Sequence, residues 1–243
     1  MTDLWLRCRT RKVASRARVV CLPHAGGTAG FYLSWAANAP AGLEVLAVQY
    51  PGREDRITEP CTADLDELSD AIAAALAPLD DRPLVLFGHS LGAIVAYEVA
   101  RTLETAHGVR PAHLVVSGRR APSDPPGGDV HRWPDADMVD ELVRLGGTDG
   151  TLLRQPEARS VYLPAIRADF RLAETYRHRP GPEPGCPLTA VIGTGDTEVN
   201  AEQARQWAAH TTAAFSLRQL PGGHFYLLKE EEAVLAILEG TAW

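Results

Sequence analysis

Gly88-His89-Ser90-Leu91-Gly92 sets a serine between two glycines, behind an apolar run and ahead of a helical pattern. Leu84-Val85-Leu86-Phe87 reads as a short buried strand, and Ala93 to Ala100 as a helix packed on a sheet. Gly-x-Ser-x-Gly in that context is the sequence form of a nucleophile elbow, a sharp turn that lifts a serine hydroxyl clear of a strand end. Where strand and helix nearly touch, Gly88 and Gly92 must carry no side chain. The helix N-terminus beside Ser90 favours negative charge through its dipole and free N–H groups.

A serine nucleophile needs a base and an orienting acid, which follow such an elbow in the order Ser, Asp/Glu, His. Of eight histidines, His210 and His224 lie late enough in the chain. His210 sits near a helix end and reads as solvated, whereas His224 lies in the loop Pro221-Gly222-Gly223-His224-Phe225 between a strand and the last helix. Val191-Ile192-Gly193-Thr194-Gly195-Asp196 puts a carboxylate just past a strand end, with Glu198 as the reserve acid. Ser90, Asp196 and His224 are therefore the candidate triad. An oxyanion hole needs the N–H after the nucleophile, Leu91, plus one from the loop Leu22-Pro23-His24-Ala25-Gly26-Gly27, where Ala25 is the candidate. That loop lacks the Lys and Ser/Thr of a phosphate-cradling P-loop, and Gly193-x-Gly195 lacks the third glycine of a dinucleotide fingerprint. His24 and His89 border the site and are expected to serve in hydrogen bonding and shape.

The elements that must position these groups alternate. Strands are expected at Val19 to Leu22, Val45 to Gln49, Leu84 to Phe87, Leu114 to Ser117, Leu188 to Ile192 and Phe215 to Leu220. Helices are expected at Gly30 to Ala39 with Trp35 inward, Leu65 to Leu76 after polar Asp64, the stretch after the elbow, Ala201 to Ala209 and Ala233 to Leu238. Such alternation implies a mostly parallel sheet covered by helices on both faces, the α/β-hydrolase fold, with catalytic groups at the carboxyl ends of the strands. From 121 to 184 no strand pattern occurs. Pro/Gly-rich stretches bracket a helix over Asp135 to Leu145 and another from about Pro156 to Tyr176, interrupted by Pro164. An insertion of this kind reads as a helical lid within a single domain spanning 1–243.

Composition sets outer bounds. The net charge of -7 argues against general nucleic-acid binding, and no apolar run approaches a membrane helix. Arg7, Arg9, Arg11, Lys12, Arg16 and Arg18 precede an apolar run too short for a signal peptide and read as a solvated edge strand and turn. Cys8, Cys21, Cys61 and Cys186 have neither Cys-x-x-Cys nor metal-ligand spacing, which fits structural roles in a reduced cytoplasmic chain.

Several blocks together resemble the type II (stand-alone) thioesterases of polyketide and nonribosomal peptide assembly lines. They are Pro23 to Gly27, Pro51-Gly52-Arg53-Glu54-Asp55-Arg56, Gly88 to Gly92, Ser117-Gly118-Arg119-Arg120-Ala121-Pro122, Leu145-Gly146-Gly147-Thr148, Arg167-Ala168-Asp169-Phe170, Glu174-Thr175-Tyr176-Arg177 and Pro221 to Phe225. One departure is Thr197, where the family commonly has proline after the acid. The resemblance implies hydrolysis of acyl groups from the phosphopantetheine arm of acyl or peptidyl carrier proteins, with acyl-CoA as a surrogate substrate. The chemistry needs no metal or bound cofactor, and a cytoplasmic monomer that engages neither nucleic acid nor membrane is expected. Carrier proteins of this kind are acidic, and so is this chain, so net charge cannot attract them. Residues 119–180 nevertheless carry ten arginines against ten acids, and Arg119, Arg120, Arg167, Arg171, Arg177 and Arg179 are candidates for a docking patch. A general esterase or lipase, a product-releasing thioesterase and a non-catalytic binding protein of the same fold remain alternatives.

Overall fold

The computed structural model describes residues 4–124, 127–147 and 150–241. Seven strands form one sheet: β1 (Leu6–Arg7), β2 (Ala17–Leu22), β3 (Leu43–Val48), β4 (Leu84–His89), β5 (His113–Ser117), β6 (Leu188–Gly193) and β7 (Phe215–Leu220). Their order is β1-β3-β2-β4-β5-β6-β7, parallel except for β1, which pairs antiparallel with β3. From β2 the chain steps outward to β3, returns across β2 to β4, and then proceeds steadily to β7. The order therefore reverses between β2 and β4, and a crevice opens there beyond the strand ends, where ligands bind in open α/β sheets.

Side-chain alternation explains why the strands read as unbroken apolar runs. Val20, Leu22, Leu84 and Leu86 enter one core, while Val19, Cys21, Val85 and Phe87 enter the other. On the first face pack α2 (Leu65–Leu76) and α3 (Leu91–His107); on the second pack α1 (Leu33–Asn38) and α8 (Glu231–Gly240). Asp64 caps α2 by accepting from the Asp66 and Glu67 N–H groups at 2.7 and 3.3 Å, the role its polarity predicts. Trp35 is buried as expected, although its helix is shorter than predicted and follows a 3-10 turn over Ala29–Tyr32.

Between β5 and β6 come α4 (Asp135–Leu145), α5 (Gly150–Leu153) and α6 (Pro156–Thr175), and no strand occurs among the described residues there. This segment has a small core of its own, built on Val130, Met138, Leu142, Leu153, Leu163 and Ile166. Pro164 does not interrupt α6. It removes one ladder bond, but Leu163, Ala165, Ile166, Asp169, Leu172 and Ala173 stay buried along one helical face and hold the helix through it. The helix expected from Ala201 is α for one turn, α7 (Ala201–Arg205), and continues as 3-10 to His210. The basic N-terminal stretch is not all solvated. Arg18 is buried, with Nε donating to Glu44 at 3.1 Å and the guanidinium also paired with Asp81.

Candidate active site

β4 ends at His89 and α3 starts at Leu91, so Ser90 carries the whole change of direction. Its backbone sits at φ 54°, ψ −115°, a conformation that costs a non-glycine residue about 1–3 kcal/mol. The Ser90 N–H donates to the Ser117 carbonyl at 2.8 Å, which ties the turn to the end of β5. The glycines are obligatory for contact reasons. A Cβ on Gly88 would lie 1.9 Å from the Gly92 carbonyl oxygen, and one on Gly92 would lie 2.1 Å from that of Leu22. Leu91 opens α3, where first-turn N–H groups have no acceptor within the helix.

Asp196 and His224 come from neighbouring loops that the backbone fastens together. Thr194 N–H donates to Leu220 O and Gly195 N–H to Gly222 O, both at 2.8 Å. The fully buried Asp196 carboxylate accepts from His224 Nδ1 at 3.2 and 3.1 Å and from the Glu198 N–H at 2.8 Å. Glu198 turns away instead, accepting from the Arg144 guanidinium at 2.8 Å. Thr197 also receives Arg144, at 3.1 Å, and Asp196 reaches the imidazole without the proline common at that position.

Ser90, Ala25, His24 and His224 all line a cavity of about 440 Å³ beneath the helical segment, with Val130, Leu142, Leu145 and Phe170 on its apolar side. Three imidazoles meet beside it. His89 lies 4.9 Å from His224 between ring centroids, and His24 packs edge-on to Phe31 and Phe225, each at 4.8 Å. Burial pushes His24 down to about 3 and His89 well below the ordinary value, and the nearby His224 lowers both further. Of the three, only His224 faces a carboxylate, which leaves the other two as neutral walls.

His210, expected to be solvated, is buried at 3% exposure. It lies 3.5 Å from Glu183 and 2.9 Å from Ser123 Oγ, beneath the Tyr97 ring, because the 3-10 turn points it inward. His178, Glu183 and His210 are the three groups near enough among the described residues to suggest a metal. The Tyr97 hydroxyl lies among them, donating to Glu183 at 2.5 Å and 3.1 Å from His178, so hydrogen bonds satisfy the cluster.

Three buried histidines and the half-buried His113 make stability depend on pH. His24 at about 3, His113 at about 4, His89 and His210 are all lowered by desolvation from 6.5. Between those values the unfolded chain binds protons that the fold refuses, so stability falls as pH drops below about 6.5. Urea midpoints are expected to decline from pH 7.5 through 6 to 5 at constant m-value. A flat midpoint over that range would mean that the folded chain accepts these protons.

The candidate docking arginines separate. Arg119 is largely buried at the cavity wall, donates to Ala173 O at 2.7 Å and is pushed down to about 10 by desolvation, so it is no outer docking residue. Arg120 also lines the cavity and donates to Glu198 O at 3.0 Å. Arg167 is spent on His131 O, Trp133 O and Asp135, and Arg179 pairs with Asp66. Arg171 and Arg177 remain exposed.

Sequence reasoning missed the buried pair of Arg53 and Asp169, joined at 2.5 and 2.9 Å. It also missed the bridge of Ser117 Oγ between His89 Nδ1 (2.9 Å) and Tyr226 OH (2.7 Å). Arg53 and Asp169 stand inside two of the family-like blocks, but one sequence holds no signal that pairs residues 116 apart.

The thioesterase domain family matches residues 17–241. The chain belongs to the thioesterase family. Thioesterase PikA5 of Streptomyces venezuelae is 45% identical over 93% of this thioesterase and 81% of its own length. AMB antimetabolite synthetase AmbE of Pseudomonas aeruginosa is 40% identical over 97% of this chain, which spans 11% of that protein. The structure of the type II thioesterase BorB from the borrelidin biosynthetic cluster superposes with a TM-score of 0.88 at 42% identity, covering 100% of this chain and 97% of BorB. This thioesterase is a thioester hydrolase of the α/β-hydrolase fold. No helix among its described residues is long and apolar enough to cross a membrane.

Proposed function

We propose that this thioesterase hydrolyses acyl groups, stalled or aberrant ones included, from the phosphopantetheine arm of acyl or peptidyl carrier proteins, with Ser90, His224 and Asp196 as its triad. The observation that carries this reading is the Asp196–His224 pair, 3.1 Å apart and buried, at the wall of the cavity that also holds the strained Ser90. Ser90 Oγ attacks the thioester carbonyl carbon as His224 Nε2 takes its proton, while Asp196 fixes the tautomer and stabilises the imidazolium. The C–S bond then breaks, and the phosphopantetheine thiolate takes the proton from His224. Water, deprotonated by His224, cleaves the acyl-serine ester and releases the acid. Leu91 and Ala25 N–H groups bind the oxyanion in both steps, a donor of this kind contributing about 3–4 kcal/mol in a well-studied protease. None of these steps calls for a metal or cofactor.

The segment 121–184 is read as the lid that closes the acyl cavity and excludes water. Four free cysteines suit a reducing cytoplasm, and burial pushes the Cys186 thiol up to about 12. Carrier docking falls to the exposed Arg171 and Arg177.

The test is intact-mass monitoring of acetyl, propionyl, butyryl and longer acyl carrier proteins, run beside the matching CoA and pantetheine thioesters. Rapid loss of acyl mass from the carriers, with slower loss from the small thioesters, is expected. Turnover of simple oxygen esters with no advantage for carriers would instead identify a general esterase. Release of a finished product is the second reading, supported by the match to part of the synthetase AmbE. It would appear as transfer of a long acyl chain to an internal nucleophile rather than to water.

A further inference from the structure

The loop from Leu22 to Gly27 is held at several backbone groups. Leu22 O accepts from Tyr32 OH and Pro23 O from Tyr50 OH, both at 3.2 Å. His24 O accepts from Gly27 N–H at 2.8 Å, and Gly27 O from Arg53 at 3.2 Å. Gly26 N–H donates to Asp169 Oδ2 at 2.7 Å. Of these five contacts, Asp169 alone comes from the helical segment, on α6. Ile166, one turn earlier on the same helix, lies against Gly26 so closely that a Cβ there would sit 2.8 Å from Ile166 Cγ1. Gly26 itself has φ +76°.

We propose that Asp169 is a positioning residue for the oxyanion donor at Ala25, so that the oxyanion loop is set only while α6 is seated. This rests on the oxyanion assignment above. Both partners of the pair are buried, with side-chain exposures of 6% for Arg53 and 4% for Asp169. A buried ion pair adds little net stability over an apolar pair of similar size, so its value lies in geometry. The bidentate guanidinium fixes the plane of the carboxylate, which aims Oδ2 at the Gly26 N–H. The same guanidinium cancels a negative charge that would otherwise stand one residue from a developing oxyanion. Asp169 touches neither substrate nor reacting atoms; it holds the Ala25–Gly26 peptide, which shares Ala25 Cα with the His24–Ala25 peptide that carries the donor.

Two variants test this. Asp169→Asn leaves the Arg53 charge uncompensated and tests the pair itself. Asp169→Glu keeps the charge pair but shifts the oxygens by about one C–C bond, and so covers the case in which the asparagine variant fails to fold. Each is assayed for kcat and KM on butyryl-pantetheine and for affinity towards butylboronic acid, which forms a tetrahedral anion on the serine. A thioether analogue, with CH2 in place of the carbonyl, reports ground-state binding. We expect kcat and boronate affinity to fall together by about 10²-fold, with thioether affinity within about threefold of the parent. Parent-like kcat and boronate affinity in a folded variant would overturn the positioning role. So would equal losses of boronate and thioether binding. If the parent enzyme itself neither hydrolyses the thioester nor binds the boronate, the oxyanion assignment falls and the Asp169 role falls with it.

Discussion

Ser90→Ala is expected to lower kcat on acyl-carrier thioesters by about 10⁵-fold or more, while the protein stays folded. In a comparable serine hydrolase, loss of the nucleophile costs about 10⁶ in kcat, and the residual rate comes from binding and the oxyanion hole. The same remainder is expected here, because the proposed donors, the Leu91 and Ala25 N–H groups, belong to the backbone that the substitution leaves alone. Alanine keeps the turn at φ 54°, so its strain is unchanged, and Ser90 makes no side-chain cap to lose. Thermal unfolding should therefore stay within a few degrees of the parent. Mass spectrometry adds a second readout: the parent should show an acyl adduct on the peptide containing Ser90, and the variant none. Near-normal turnover by Ser90→Ala would remove Ser90 from the mechanism.

Gly88→Ala is expected to abolish folding. The added Cβ would lie 1.9 Å from the Gly92 carbonyl oxygen and 2.6 Å from the Ala93 nitrogen, both backbone atoms that no rotamer change can move aside. Gly88 pairs with Leu22 on one side and Val116 on the other, so β4 cannot retreat without breaking both ladders. Relief would require pulling α3 off the sheet, and α3 contributes Leu91, Ile94, Val95, Tyr97 and Val99 to the core. A loss of that kind exceeds about 5 kcal/mol, comparable to the whole stability of an ordinary domain. Gly108→Ala is the control. That glycine caps α3 at φ 67° with nothing within 4 Å of its Cβ position, so only the left-handed backbone cost of about 1–2 kcal/mol applies. Soluble yield and urea unfolding should place Gly108→Ala near the parent and Gly88→Ala in the insoluble fraction. A soluble, cooperatively unfolding Gly88→Ala protein would mean that strand and helix are not locked together.

The sheet was legible in the sequence because both of its faces are covered. The central strands therefore carry short, mostly apolar runs, such as Val19 to Leu22 before Pro23 and Leu84 to Phe87 before Gly88. The candidate site was legible for a related reason, since Ser90, Asp196 and His224 each lie within four residues of a strand's carboxyl end. What escaped was set by packing rather than by pattern. Pro164 looks like a break, yet a buried helical face carries α6 through it. His210 looks exposed at a helix end, yet its 3-10 turn rotates it inward to Glu183 and Ser123. Arg119 reads as surface charge, yet it follows β5 directly into the cavity wall. His210 and Arg119 were misread because their partners in space lie far along the chain, Ser123 87 positions from His210 and Ala173 54 from Arg119.

The cavity draws its floor and its walls from different stretches of chain. Ser90, Asp196 and His224 hang from strand ends, while Val130, Leu142, Leu145 and Phe170 belong to a segment with its own small core. On the proposed reading, reactivity and selectivity are thus carried on separable pieces of one polypeptide. On that reading the walls around Asp169 can be rebuilt without moving Ser90, Asp196 or His224. Asp169 is a seam between the two pieces. A graft of another thioesterase's 121–184 segment that keeps this carboxylate opposite Arg53 would inherit a working hole, and one that loses it would inherit only a new shape.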